Sequence, residues 1–168
     1  MMGGVTDHRL TIRRAVETDD AALLALDLSA WTAESGFPSL TAGDRETFFS
    51  ERNGPDGHLI AEYDGELVGY VRLQDKYPLV EGAGVLAVNG LAVSPKARRL
   101  GIGSALLDAV AAEGKRRGAR KITLRVFATN TAAQRLYERH GYIVESRHTA
   151  EFLIDGHYID DLGLAKFL

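Results

Sequence analysis

Apolar residues recur with two different periods along this chain. Residues 10–13, 58–63, 66–74, 86–93, 122–127, 146–154 and 158–168 form short alternating or continuous apolar runs and read as strands. Residues 21–30 set Ala22, Leu23, Leu26 and Ala30 at helical spacing, with Thr18 or Asp19 as the cap. From Ile102 to about Arg117 the same spacing runs through Leu106, Ala109, Val110 and Glu113, and Gly118 closes it. Another helix is expected from Asn130 to about His140, stopped by Gly141, and a short one over residues 41–51, started by Thr41 or Asp44. Asn53-Gly54-Pro55-Asp56-Gly57 is a breaker, and residues 31–38 and 76–84 are loops. Asp64-Gly65 and Asp155-Gly156 each separate two strand runs, as a two-residue hairpin prefers.

The resulting order is β-α-α-β-β-β-α-β-α-β-β. Hairpins cluster before the central helix and after the last one. That predicts an α/β protein with a mixed sheet covered by helices, not a uniformly alternating parallel sheet. No linker composition interrupts residues 1–168, so one domain is expected, long enough to bury a genuine core.

Charge and cysteine usage narrow the function. With 20 Lys and Arg against 23 Asp and Glu, the net charge of −3 argues against nucleic acid as the main partner. Cysteine is absent, which excludes disulfides, thiolate metal sites and a thiol nucleophile. The 5 histidines are scattered and form no metal set. No apolar stretch approaches the roughly 20 residues that span a bilayer. The segment Met1-Met2-Gly3-Gly4-Val5-Thr6-Asp7 has neither an export pattern nor the second-position glycine of a myristoylation site. The expected compartment is the cytoplasm.

The chemistry concentrates where the strand ending at Val93 meets the central helix. In Val93-Ser94-Pro95-Lys96-Ala97-Arg98-Arg99-Leu100-Gly101-Ile102-Gly103-Ser104, cations precede two glycines, and the first acid of the helix is Asp108. A helix start with free amides, no acid and nearby cations suits an external anion such as a phosphate. A plain turn is the simpler alternative. A dinucleotide fingerprint lacks its third glycine, since Leu106 stands there, and a Walker loop lacks Gly-Lys-Ser/Thr. A second interruption, Asn89-Gly90, lies inside an apolar strand. A hairpin there would have very short arms, so a bulge is preferred.

Arg98-x-x-Gly101-x-Gly103 resembles the Gln/Arg-x-x-Gly-x-Gly/Ala signature of the GNAT superfamily of N-acetyltransferases. Asn130-Thr131-Ala132-Ala133-Gln134-Arg135-Leu136-Tyr137-Glu138-Arg139-His140-Gly141-Tyr142 is similar to a second segment of that family. The element order matches over essentially the whole chain. The resemblance implies acetyl-CoA as cosubstrate and direct acetyl transfer to an amine, a small molecule or a protein amino group. It implies a phosphate cradle from Arg98, Arg99, Leu100, Gly101, Ile102, Gly103 and Ser104, and backbone contacts from Leu91 and Val93 to the pantetheine arm. An amide near the bulge, at Leu91, would act as oxyanion donor. Asn130, a helix cap on its own terms, would also touch the pantetheine arm. Tyr137, which by residue type alone could merely pack, would donate a proton to the departing sulfur. Tyr142 fits a packing role. A homodimer is an expectation by analogy.

One position departs from the family pattern. Many relatives carry glutamate four residues before the terminal valine of the splayed strand; here that residue is Asn89, which cannot act as a base. Glu81, His58 and His148 are the remaining base candidates. His140 and the Lys115-Arg116-Arg117 run suit a helix C-terminus. The acceptor is expected near Trp31, Glu34, Ser35 and Phe37, near Tyr77, and near Asp155, His157 and Tyr158, where aromatics and a carboxylate can hold an ammonium. A coenzyme A-binding sensor without turnover and a generic nucleotide-binding protein are the rival readings.

Overall fold

A computed structural model describes residues 9–32, 34–41 and 44–168. Met1–Asp7, read above for export signals, lie outside the described residues, as do residues 42 and 43 of the expected second helix. The elements are β1 (Leu10–Arg14), α1 (Asp20–Ala30), α2 (Pro38–Thr41), β2 (His58–Tyr63), β3 (Glu66–Asp75), β4 (Val85–Val93), α3 (Ile102–Arg116), β5 (Lys121–Phe127), α4 (Thr131–Arg139), β6 (Ile143–Ile154) and β7 (His157–Phe167). They build one 7-stranded sheet in the order β1-β2-β3-β4-β5-β7-β6. Every pairing is antiparallel except β4 with β5, which α3 joins as a crossover. The two Asp-Gly hairpins form as expected: Asp64 and Gly65 take φ 51 and 80, and Asp155 and Gly156 take φ 50 and 78.

Strand alternation sends side chains to two cores. On one face Val71, Leu73, Leu86 and Val88 pack under Leu106 and Val110 of α3. On the other, Ile60, Tyr70 and Ala92 pack against Leu23, Leu26 and Ala30 of α1. Leu106 is 0% exposed at the centre of the first core. Leu106→Ala is expected to cost about 2–5 kcal/mol of stability, read as a lower urea midpoint at unchanged slope.

The expected helix over 41–51 is not formed among the described residues 44–51. The short helix lies earlier, at Pro38–Thr41, and proline starts it. From residue 44 the chain runs irregularly, so that Phe48 and Phe49, 6% and 9% exposed, both enter the α1 core. Adjacent helical residues diverge by about 100° and cannot share one pocket so closely. Asp20 fixes this conformation, since its Oδ1 accepts the Phe48 and Phe49 amides at 3.0 and 2.7 Å.

The basic end of α3 is structural. Glu113 accepts from Arg116 and Arg117 at 2.6 and 2.9 Å, and from Arg14 of β1 at 3.2 Å. The Arg116 hydrogen bond, opposed by burial and then reinforced by Arg117 and Arg14, pulls the Glu113 carboxyl down from 4.5 to about 2. Because the folded value is depressed, this stabilisation is complete above the unfolded value and fades as pH falls toward about 2. Glu113→Gln is therefore expected to flatten the acid limb of Tm against pH in that window, measured by thermal melts. His140, at the end of α4, faces Asp108 of α3 at 3.3 Å.

Candidate active site

The site begins with a fault in the sheet. Val71 pairs with Leu91 and Leu73 with Val88, so Arg72 alone opposes Asn89 and Gly90. This is a β-bulge, and Asn89-Gly90 is not a hairpin. Gly90 takes φ 153, and a Cβ there would lie 3.3 Å from the Tyr70 ring. Before the bulge, Val85 to Val88 pair with Lys121 to Leu124; beyond it β4 and β5 no longer pair. The strands part, and the gap opens between them.

Ladder alternation shows which groups border the gap. The Ser94 N–H donates to Val68 O at 2.7 Å, and Ala92 pairs with Tyr70. Residues two apart in an antiparallel strand turn their N–H and C=O the same way. Ser94 and Ala92 therefore face β3, while Leu91 and Val93 present theirs to the gap.

The same gap receives the start of α3. Gly101 is the N-cap residue at φ 76, no side chain caps the helix, and its first turn holds no acid. The first backbone bond across this turn runs from Ala105 N to Gly101 O, leaving the Ile102, Gly103 and Ser104 amides without an intrahelical acceptor. Gly103 serves packing as well, since a Cβ there would meet Leu136 of α4 at 3.0 Å. Arg99 is exposed, whereas Arg98 donates to Ala30 O at the end of α1 at 3.2 Å. Leu100 is 45% exposed and does not border the cleft.

From the opposite wall α4 contributes Asn130 and Tyr137, which both line the cleft. Asn130 Oδ1 accepts the Ala133 amide at 3.2 Å, the cap expected from sequence. Tyr137 is 8% exposed, and burial pushes its phenol up to about 12. Its ring meets Tyr142 edge-on with centroids 6.0 Å apart. Tyr142 is 3% exposed and lies outside the cleft, as a packing residue should.

The whole cleft measures about 1780 Å³. Trp31, Glu34, Ser35, Phe37, Tyr77 and Asn89 line it. Asp155, His157 and Tyr158 do not, because they sit at the tip of the β6–β7 hairpin, where Tyr158 is 73% exposed. Of the three base candidates only His148 faces the cleft. His58 is 2% exposed, away from the cleft, with its pKa lowered first by burial and then by Arg72. Glu81 lies in a turn of the β3–β4 connection.

Several cleft residues were not anticipated. Asp27 of α1 accepts from Trp31 Nε1 and Arg45 Nη1 at 2.6 Å each, and from the Tyr70 hydroxyl, whose ring supports the bulge. Phe37, Phe127 and Phe152 meet edge-on or tilted, with centroids 4.8–5.7 Å apart. Asp161, 3% exposed, accepts from Arg125 at 2.6 Å, and burial, only partly offset by Arg125, raises its pKa. Among the described residues no group of three or more metal-binding side chains forms, and no helix is long and apolar enough to cross a membrane.

A mixed sheet parted beside an uncapped helix start has room and donors for a long anionic ligand. The model of the Acetyltransferase (GNAT) family matches residues 22–142. The chain is 33% identical over 135 residues to the uncharacterized N-acetyltransferase YhfO of Bacillus subtilis (strain 168), covering 79% of this chain and 89% of that protein. It is 36% identical over 135 residues to the mycothiol acetyltransferase of Streptomyces avermitilis, covering 79% of this chain but only 42% of that longer protein. Among solved structures, smu.2055 from Streptococcus mutans UA159 shares a TM-score of 0.79 at 25% identity, over 94% of this chain and 98% of that one. The fold of yncA from Salmonella typhimurium, solved with acetyl-CoA, matches at TM-score 0.74 and 19% identity, over 95% of this chain and 94% of that one.

This chain belongs to the GNAT family of acetyltransferases. It is an N-acetyltransferase that takes its acetyl group from acetyl-CoA and gives it to an amine. A sensor without turnover is not favoured.

Proposed function

We propose that the amides of residues 98, 99 and 101–104 hold the diphosphate of acetyl-CoA, with Arg99 as an exposed cation beside them and Arg98 divided between this task and α1. Leu100, which does not border the cleft, takes no part. The bare Ile102, Gly103 and Ser104 amides and the positive end of the α3 dipole support this reading. Leu91 and Val93 bond the pantetheine arm through their gap-facing backbones, joined by Asn130. The Leu91 amide also serves as oxyanion donor to the thioester carbonyl. Tyr137 donates to the sulfur as it departs. The amine attacks directly; the absence of cysteine agrees with this but leaves Ser and Lys as other acyl carriers.

The observation that carries this reading is the parting of β4 from β5 beside a helix start that no side chain caps. The residues present fit the cosubstrate: donors line the phosphate end, and unpaired backbone lines the narrow part. Continuous β4–β5 pairing in crystals soaked with acetyl-CoA would end it.

The finer assignments are part of the same proposal. Residues 1–168 act as one domain in the cytoplasm, as a homodimer by family analogy, on a small amine or a protein amino group and not on nucleic acid. Incubation with acetyl-CoA and pooled amines, mycothiol-related amines included, should show a mass gain of one acetyl group matched by free coenzyme A thiol. Gel filtration at several concentrations tests the dimer.

A further inference from the structure

The acceptor amine arrives as an ammonium ion, with a pKa of about 10.4 for an alkylammonium, and must lose a proton before it can attack. Asn89 cannot take it. Most carboxylates lining the cleft are already committed. Asp27 is held by Trp31, Arg45 and Tyr70, Asp161 by Arg125, and Glu145 by Lys121 at 2.9 Å. What remains is Glu34, on the loop after α1, and a cluster on β6.

That cluster is built by two irregularities in the outermost strand. Val144 pairs with Leu164 and Ser146 with Gly163, so Glu145 is an extra residue. His148 pairs with Asp161 and Phe152 with Ile159, so residues 149–151 oppose Asp160 alone. Asp160 plugs this second bulge, accepting the Ala150 amide at 2.7 Å and Arg147 Nε at 2.8 Å, and Ala150 takes φ 50. In an unbroken strand Ser146, His148 and Phe152 would share one face and Glu151 the other. The bulge brings Glu151 round, and all four line the cleft.

Within the cluster the contacts form a line. Ser146 Oγ lies 3.3 Å from His148 Nε2, and His148 Nδ1 lies 3.9 Å from Glu151 Oε2. Gly163 on β7 stands between Ser146 of β6 and Arg125 of β5. A Cβ at Gly163 would collide with Ser146 Oγ and lie 3.9 Å from Arg125 Cδ. A glycine inside a central strand weakens it, so its place here is informative. The missing side chain lets the Ser146 hydroxyl lean across β7 toward β5, the wall of the gap. The charged groups around His148 are Glu151 on its own strand, Asp161 on β7 and Asp161's partner Arg125 on β5.

Resting on the acetyl-transfer reading above, we propose that Ser146 and His148, backed by Glu151, form the proton relay that deprotonates the acceptor. As the ammonium N–H breaks, its proton passes to Ser146 Oγ while the Ser146 proton moves to His148 Nε2. His148 becomes an imidazolium, and Glu151 faces its Nδ1–H. The freed nitrogen lone pair attacks the carbonyl carbon. The relay uses the tautomer with the proton on Nδ1 and Nε2 as acceptor, and the Glu151 carboxylate, 3.9 Å from Nδ1, offsets the imidazolium charge.

The test uses two probe amines, chosen for the Phe37–Phe127–Phe152 wall and for basicity. One is 2-phenylethylamine, charged at neutral pH; the other is 2,2,2-trifluoroethylamine, largely uncharged there. In His148→Gln and Ser146→Ala, kcat/KM for phenylethylamine should fall about 100-fold, against about threefold for trifluoroethylamine. Gly163→Ala, which keeps every relay group but occupies the Ser146 Oγ position, should lower the phenylethylamine rate about tenfold or more. The pH profile separates the relay from mere structural damage. With the relay, kcat/KM for phenylethylamine reaches a plateau well below the pKa of the amine. Without it, the rate keeps climbing toward the pKa of the amine itself. Affinity for acetyl-CoA should stay within about twofold in all three variants. Equal losses for both amines, or variant profiles that level off as in the wild type, would overturn the relay and point to Glu34 or solvent. A wild type that binds acetyl-CoA but releases no thiol with either amine would remove the acceptor reading and the relay together.

Discussion

Tyr137→Phe is expected to lower kcat by about 100-fold while acetyl-CoA binds with nearly unchanged affinity. The substitution removes one oxygen and keeps the ring that packs against Tyr142. Among the described residues the Tyr137 hydroxyl makes no hydrogen bond, so its loss leaves no protein group unpaired and Tm should hold. Burial that lifts the phenol to about 12 keeps it protonated across the physiological range. The same shift limits it. A thiol has a pKa of about 8.5, so complete transfer from this phenol to a free thiolate runs uphill by several units. In the proposed role Tyr137 would therefore act chiefly as a hydrogen-bond donor while charge builds on the departing sulfur. This places its effect at the lower end of what acid catalysis contributes. Stopped-flow release of coenzyme A thiol measures it, and an unchanged kcat would strip Tyr137 of the role.

Gly101→Asp is the complementary experiment, directed at binding. A Cβ at Gly101 meets nothing within 4 Å, so the side chain enters open space and the fold survives. At φ 76 the backbone is one that aspartate tolerates better than most residues. The new carboxylate competes for the Ile102, Gly103 and Ser104 amides and repels an incoming diphosphate. Loss of the dipole attraction plus this repulsion is worth roughly 1.5–3 kcal/mol, or about 10- to 100-fold in Kd for acetyl-CoA. Added salt should shrink the gap between variant and wild type, since the repulsion is screened. Calorimetry that finds the affinity unaltered would place the diphosphate elsewhere.

How much of this was readable in advance depends on the range of the forces involved. Asp64-Gly65, Asp155-Gly156, Gly118 and Gly141 act on their own φ angles, and Asn130 caps the amide three residues on; none of these needs a distant partner. The alternation of strands and the stripe of α3 are equally local. Residues 41–51 mislead because the decisive contact, Asp20 to the Phe48 and Phe49 amides, spans 28 and 29 residues. Composition cannot distinguish His58 from His148. One is walled in by Phe48, Phe49 and Tyr70, and the other stands on the cleft side of β6. Gly163 was the one available hint of the outer-strand cluster, since a glycine within a strand marks a close approach.

The sequence by itself determined the order of elements, the bulge at Asn89-Gly90, the uncapped start of α3 and the family these features define. Each follows from backbone preferences within a few residues. Only the tertiary structure decided which polar side chains share the cleft. It turned Arg98 toward the end of α1, closed Asp161 over Arg125 and, through two bulges, set Ser146, His148 and Glu151 side by side. Those placements come from strand register and the packing of distant segments, which no short stretch of chain encodes.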